Sequence, residues 1–345
     1  MIVVTGATGH IGNVLVRELE ARGQGVRALV LPSEDTRPLA GLRVEKVPGN
    51  LLDPASLAQA FRGAEVVYHL AGIVSILPGK RDPVRRVNVE GTYNVIEACL
   101  RAGVRRLVYT SSIHALVEPP HGTVIDETCG FDPQRARGHY DRSKAEASLA
   151  VLRAAEEGLD SVIICPTGVI GPYDFRVSVM GRLILDIAGR RVRVVPDGAY
   201  DFVDVRDVAT GHIQACEKGK TGEVYILSGA RVTVCGLVRM VEEAVGERLP
   251  YLALPAWVAS LAAELAPAYY ALTHKEPRFT RYSIQTLRSN SYVTCAKAHR
   301  ELGYSPRPLN ESVRDTVRWF QENAEHCLSG KPLLVGPIAK RVGPA

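Results

Sequence analysis

The segment "MIVVTGATGHIGNVLVRELEARG" constrains the fold of this chain more tightly than any other. Four strand-forming residues, "IVVT" (2–5), run straight into Gly6, Gly9 and Gly12, and the last glycine stands at the mouth of a helical pattern. Glycine allows a tight turn and lets the backbone come close to a pyrophosphate. The helix N-terminus then presents N–H groups and a partial positive charge to the anion. Glycine spacing alone says little. A strand before it, a helix after it and a second strand, "GVRALVL" (25–31), soon afterwards make it a dinucleotide-binding turn.

The rest of the first 170 residues keeps that rhythm. Apolar runs that read as buried strands are "LRVEKV" (42–47), "EVVYHLA" (65–71), "RLVYTSS" (106–112) and "SVIICP" (161–166). Helical patterns lie between them, among them "PVRRVNVEGTYNVIEACLRAG" and "HYDRSKAEASLAVLRAAEEG", several ending in glycine as helices tend to. Such alternation predicts an α/β fold with a doubly wound parallel sheet covered on both faces. Beyond residue 170 the rhythm changes. "EVYILSG" (223–229) reads as a strand rejoining the sheet, and helical patterns follow at 233–246 and 310–324. The chain is therefore expected to hold a nucleotide-binding domain (1–170), an interleaved and mainly helical substrate region (171–325) and a tail (326–345).

Composition excludes several function classes. The net charge of +5 over 345 residues is small, and no stripe of basic and aromatic residues appears, so no nucleic-acid partner is expected. Seven widely separated cysteines without a C-x-x-C pair read as free thiols in a reducing compartment, with no metal. No signal-peptide pattern stands before the first strand, which points to the cytoplasm. The nearly uncharged segment 249–272 is broken by Pro250, Pro255 and Pro267 and contains Glu264. It reads as pocket-lining helices rather than a membrane span.

The G-x-x-G-x-x-G spacing of the first turn is joined by "HLAG" (69–72), "NVEGT" (88–92), "YTSS" (109–112), "YDRSK" (140–144), "CPTGVIGP" (165–172) and "YDFVDVRDVA" (200–209). With these motifs the chain resembles the extended short-chain dehydrogenase/reductases over about residues 1–325. The resemblance implies a Rossmann-type domain that binds NAD or NADP. It places the cofactor on Gly6, Thr8, Gly9, His10, Ile11, Gly12, Asn50, Leu51, Leu70, Ala71 and Gly72, then on Tyr140, Lys144, Pro166, Thr167, Gly168 and Val169. It also implies Ser112, Tyr140, Lys144 and Asn88 as the catalytic set, with Ser111 supporting the loop, and a homodimer formed through helices 84–102 and 140–157.

The residues themselves support that chemistry. Tyr140 and Lys144 are four apart and share a helix face. An ammonium beside a phenol favours phenolate, so Lys144 is expected to lower the Tyr140 pKa and ready it for proton exchange with a substrate oxygen. Ser111 and Ser112 end the fifth strand, at the edge where open parallel sheets bind ligands. A hydroxyl there steadies developing charge.

Cofactor choice is less marked. An acid at the end of the second strand suits a ribose hydroxyl and an arginine suits a 2′-phosphate, but the position carries Leu31. Glu34 and Asp35 follow and favour NAD, while Arg37 stands within reach of a phosphate. The second half bears on the substrate. Sugar-nucleotide enzymes of this superfamily carry an arginine where "AYDFVDVRDVA" has Tyr200, and Asp204 replaces a histidine. Losing that cation removes charge-assisted bonds to a diphosphate. The chain thus looks most like the dihydroflavonol-reductase and 3β-hydroxysteroid-dehydrogenase branch, acting on a moderately apolar small molecule. The alternative is a sugar-nucleotide epimerase or dehydratase in which Arg176 or Arg206 supplies the phosphate contact. A non-catalytic dinucleotide sensor is a third reading, disfavoured because Tyr140 and Lys144 are both kept.

Overall fold

Each β-branched run becomes a strand whose alternate residues go to opposite faces. In β1 (Ile2–Thr5), Val3 joins the core on one side of the sheet and Val4 the core on the other. Both are fully buried, each stabilising the fold by roughly 1.5–3 kcal/mol. The computed structural model describes residues 1–74, 81–254 and 289–327. Most of the apolar segment 249–272, and all of the tail after residue 327, lie outside them.

The main sheet has seven strands, all parallel. β1 is followed by β2 (Val26–Val30), β3 (Glu45–Pro48), β4 (Val66–His69), β5 (Arg106–Thr110) and β6 (Ser161–Pro166). β10 (Val224–Leu227) returns to pair with β6, as Val224 opposite Ile163 shows. The spatial order is β10-β6-β5-β4-β1-β2-β3, so the winding reverses between β1 and β4. At such a reversal the loops after the two strands part and leave a crevice.

Helices cover both faces. α1 (His10–Ala21) and α7 (Val205–Lys218) bury Leu15, Leu19, Val208 and Ile213 on one side, where α9 (Ala296–Leu302) adds Leu302. On the other side lie α2 (Pro54–Ala60), α4 (Gly91–Ala102) and α5 (His139–Glu156). α2 starts on Asp53, whose carboxylate accepts from the Ala55 N–H, with Pro54 at its first position. α4 ends on Gly103 in the left-handed region.

The residues after β6 build a third core. α6 (Val179–Ala188), α8 (Val234–Val245) and α10 (Leu309–Glu322) enclose Ile184, Leu237, Val241 and Val313. This part of the chain also contains small sheets. β7 (Gly168–Ile170), β9 (Ala199–Asp204) and β11 (Ala230–Thr233) form one, while β8 (Val194–Pro196) pairs with β12 (Leu252–Leu254). No described helix is long and apolar enough to cross a membrane.

One local departure matters. The helical pattern at 84–102 is interrupted: between α3 (Arg81–Arg85) and α4 the chain makes a π-helical turn, Arg86–Glu90. A π turn widens the helix and rotates its side chains, and it carries Asn88 here.

Candidate active site

The glycine turn is built by backbone contact. Gly6 has φ +69°, and a Cβ there would lie 2.7 Å from the Ala71 nitrogen, so the loops after β1 and β4 touch. A Cβ on Gly12 would lie 2.0 Å from the Gly6 carbonyl oxygen. Gly9 caps α1 with no side-chain hydrogen bond to its first-turn N–H groups. Asn13 braces the turn, its Nδ2 donating to the carbonyls of Gly9 at 2.8 Å and Tyr173 at 3.0 Å. His10 Nε2 meets the Pro172 carbonyl at 3.0 Å. A glycine cradle under an uncapped helix N-terminus fits a dinucleotide diphosphate. At the next strand end, Asn50 Oδ1 accepts from the Leu52 N–H in a local turn, and the Leu51 side chain is buried against Gly91.

The proton-handling groups meet at the end of β5. Ser112 is buried, and its Oγ accepts from the His114 N–H at 3.2 Å, which leaves its own proton to donate. The Ser112 hydroxyl faces the phenol of Tyr140, at the start of α5. Ser111 faces the other way: its hydroxyl pairs with Ser148 at 2.7 Å on the body of α5. Lys144 is also buried. Its Nζ donates to the Thr110 carbonyl at 2.7 Å and sits 4.9 Å above the Tyr109 ring.

This geometry corrects the expected electrostatics. Burial pushes the Tyr140 phenol up to about 12, and the Ser112 hydroxyl offsets this only in part. Burial likewise brings Lys144 down to about 8. The ammonium is directed at the Thr110 carbonyl, and it is desolvation that sets the phenol's shift. Tyr140 is therefore protonated at neutral pH, a form suited to donating to a carbonyl oxygen.

Asn88 clamps the loop between the two halves of the site. Its amide accepts from the Ile73 N–H at 2.7 Å and donates to the Ile73 carbonyl at 3.0 Å and to Ser143 Oγ at 2.9 Å. A Cβ on Gly72 would sit 3.1 Å from Asn88 Oδ1 and 3.6 Å from Lys144 Nζ, so only glycine leaves this edge open. Beneath runs a buried chain that sequence reasoning did not assign. Thr5 Oγ1 accepts from the Ala71 N–H and lies 2.8 Å from His69 Nδ1; His69 Nε2 lies 3.1 Å from Thr92 Oγ1, which donates to the Asn88 carbonyl. Each step has one consistent donor when His69 is neutral, and burial lowers its pKa to about 3.

On the substrate side, Pro166 ends β6 and Thr167 is buried. Gly168 lies beneath the Tyr200 ring, where a Cβ would come 2.5 Å from Cε1. His114 was also missed, and its pairing with Tyr200 was not foreseen: they lie 86 residues apart, yet Tyr200 OH meets His114 Nε2 at 2.6 Å with the rings stacked. Both line a cavity with Ile113, Leu116, Ile125 and Val293. The arginines invoked for a diphosphate are placed elsewhere. Arg206 pairs with Asp204 and Asp315, both at 2.8 Å, and Arg176 with Glu34 at 2.6 Å. Neither lines this cavity.

The fold and the glycine cradle define a dinucleotide-binding α/β protein. The chain belongs to the NAD-dependent epimerase/dehydratase family, whose model matches residues 2–228. Sterol demethylase protein B of Methylococcus capsulatus is 39% identical over 93% of this chain and 98% of its own length. The 3beta-hydroxysteroid-dehydrogenase/decarboxylase isoform 1 of Arabidopsis thaliana is 30% identical over 92% of this chain and 79% of its own. The crystal structure of gox2253 superposes with a TM-score of 0.83 at 35% identity, covering 94% of this chain and 98% of that one.

Proposed function

We propose that this protein is an NAD(P)-dependent oxidoreductase that interconverts a carbonyl and a secondary alcohol on a moderately apolar small molecule. The observation that carries this reading is the convergence of the Ser112 and Tyr140 hydroxyls at the end of β5, beside a cavity whose walls mix apolar side chains such as Ile113, Leu116 and Val293 with charged ones such as Arg135, Arg137 and Asp141. When bound, the dinucleotide supplies the acceptor or donor of hydride. Tyr140 gives the substrate oxygen its proton in reduction and removes it in oxidation. Ser112, its lone pair held by the His114 N–H, donates to the same oxygen and stabilises developing negative charge. Lys144 and Asn88 border the open edge at Gly72, where Lys144 is the cation within reach of a ribose. Gly6, Thr8, Gly9, His10, Ile11 and Gly12 hold the diphosphate end, and Pro166 to Val169 hold the nicotinamide end.

Two relatives are named for sterol or hydroxysteroid chemistry, which supports hydroxyls on rigid, sterol-like ring systems as the substrate class. The two arginines invoked for the sugar-nucleotide alternative, Arg176 and Arg206, are both engaged in ion pairs away from the cavity, and the arginines that do line it are Arg135 and Arg137. We take NAD as the cofactor on the acidic loop after β2, and we place a homodimer contact on α4 and α5, where Tyr93 and Leu100 are half exposed. The test is turnover of a 3β-hydroxysteroid and ketosteroid panel with either dinucleotide, followed by nicotinamide absorbance. Epimerisation of a UDP-sugar with no turnover of the panel would overturn the reading.

A further inference from the structure

Two phenols near the end of β5 stand in opposite hydrogen-bonding states. Tyr140 is protonated, and in the reaction proposed above its proton goes to the substrate oxygen. Tyr200, which lines the cavity, has its proton engaged already. Its OH lies 2.6 Å from His114 Nε2. That is shorter than the roughly 2.7–3.2 Å over which an N–H donates to oxygen, and it suits an O–H donor, so the phenol donates and the imidazole accepts. The charge states agree. Burial holds the Tyr200 phenol well above its usual range, so it keeps its proton. Burial also lowers the His114 pKa, against the pull of the Asp141 and Glu118 carboxylates, so the ring is neutral and Nε2 has a lone pair to offer.

The Tyr200 ring is held on three sides. Gly168 lies beneath it, Phe202 meets it edge-on at 5.4 Å, and His114 stacks on it at 5.8 Å. His114 is fixed in turn by the main chain. It sits in the short 3-10 turn Ile113–Ala115, and its N–H donates to Ser112 Oγ at 3.2 Å. One residue therefore sets the polarity of two hydroxyls. Its N–H occupies a lone pair of Ser112 and leaves that side chain a proton to give. Its imidazole takes the proton of Tyr200 and leaves that oxygen only lone pairs. Ser112 faces a substrate as a donor and Tyr200 faces it as an acceptor. A ketone oxygen has no proton for such an acceptor and would meet it lone pair to lone pair, whereas a hydroxyl can donate.

Resting on the proposed carbonyl–alcohol reaction, we infer that the substrate carries a second hydroxyl, apart from the oxygen that reacts, and that it donates to Tyr200. Tyr200 is then a specificity-determining residue and His114 its positioning residue. The test is steady-state kinetics of the full chain with matched 3-ketosteroids that differ at one further ring position. Each set carries hydrogen, hydroxyl or a ketone there, and several positions are tried in turn. At one position the hydroxyl member should show a KM about 2–10-fold below the hydrogen member, the value of one hydrogen bond, with kcat little changed, and the ketone member should show no such gain. Tyr200→Phe should remove the difference. His114→Phe keeps the N–H on Ser112 but frees the Tyr200 proton, so the preference should pass to the ketone member. His114→Gln, whose amide oxygen can take the phenol's proton, should retain the hydroxyl preference. Equal KM values for all three members at every position would overturn the inference. So would a hydroxyl preference that survives Tyr200→Phe, or one unmoved by His114→Phe in protein that melts like the wild type. If no member is turned over with either dinucleotide, the carbonyl–alcohol reading itself fails and this inference with it.

Discussion

The two sides of the crevice are made in different ways. On the nucleotide side the shape comes from backbone against backbone: Gly6 against Ala71 and Gly12 against the Gly6 carbonyl. On the other side it comes from side chains that find each other across the chain, such as His114 with Tyr200 and Arg137 with Glu118. A backbone contact leaves no room for a Cβ, so it imposes a residue type. A side-chain contact admits many solutions and tunes what is bound.

The contrast breaks first at the place where the sides meet. Tyr140→Phe should cost about 10²–10⁴-fold in turnover, the usual contribution of a general acid–base, with NADH affinity largely intact. Retained turnover would remove Tyr140 from the mechanism. Gly12→Ala tests the backbone side. Overpacking there should lower stability by about 1–3 kcal/mol and abolish dinucleotide binding, read by thermal melts and calorimetry.

Acid should act through the buried imidazoles. His69 and His212 are held neutral by burial, at about 3 and about 4, against 6.5 when unfolded. Below pH 6.5 the unfolded chain binds more protons, so stability falls as pH drops through that window and these groups add no slope above it. The slope should approach about 1.4 kcal/mol per pH unit for each histidine. Melts between pH 4 and 8 check it, and a His69→Gln variant should show a shallower fall. Activity responds in a higher pH window. With Tyr140 near 12, alcohol oxidation should accelerate as pH rises from 7 to 9 while ketone reduction does not, which a pH profile in each direction would show.

The smallest effect belongs to the side-chain side. Tyr200→Phe removes one hydroxyl from the cavity and should raise KM about 2–10-fold with kcat nearly unchanged, the value of one hydrogen bond. An equal loss of kcat would instead place Tyr200 at the reacting atoms.

The site was legible in the sequence to the extent that it follows from spacing. The glycine turn, the Ser at the end of β5 and the Tyr-Lys helix are local, because strand, turn and helix periods fix where their side chains emerge. That Ser111 faces Ser148 while Ser112 faces Tyr140 is decided by the fold. Asn88 was named, but the π turn that aims it leaves no mark in the hydrophobic period. Leu31 carries no acid; only the folded loop brings the Glu34 carboxylate to its N–H.

What the sequence determined by itself, then, is the parallel sheet, its crevice between β1 and β4, and the glycines that line it, since steric exclusion at a backbone contact acts residue by residue. The tertiary structure alone decided the charges. Burial raises Tyr140 and lowers Lys144 and His69, and distance turns Arg176 from a phosphate ligand into the partner of Glu34. Desolvation and Coulomb energies depend on neighbours that the chain brings together only on folding, Arg176 and Glu34 from 142 residues apart.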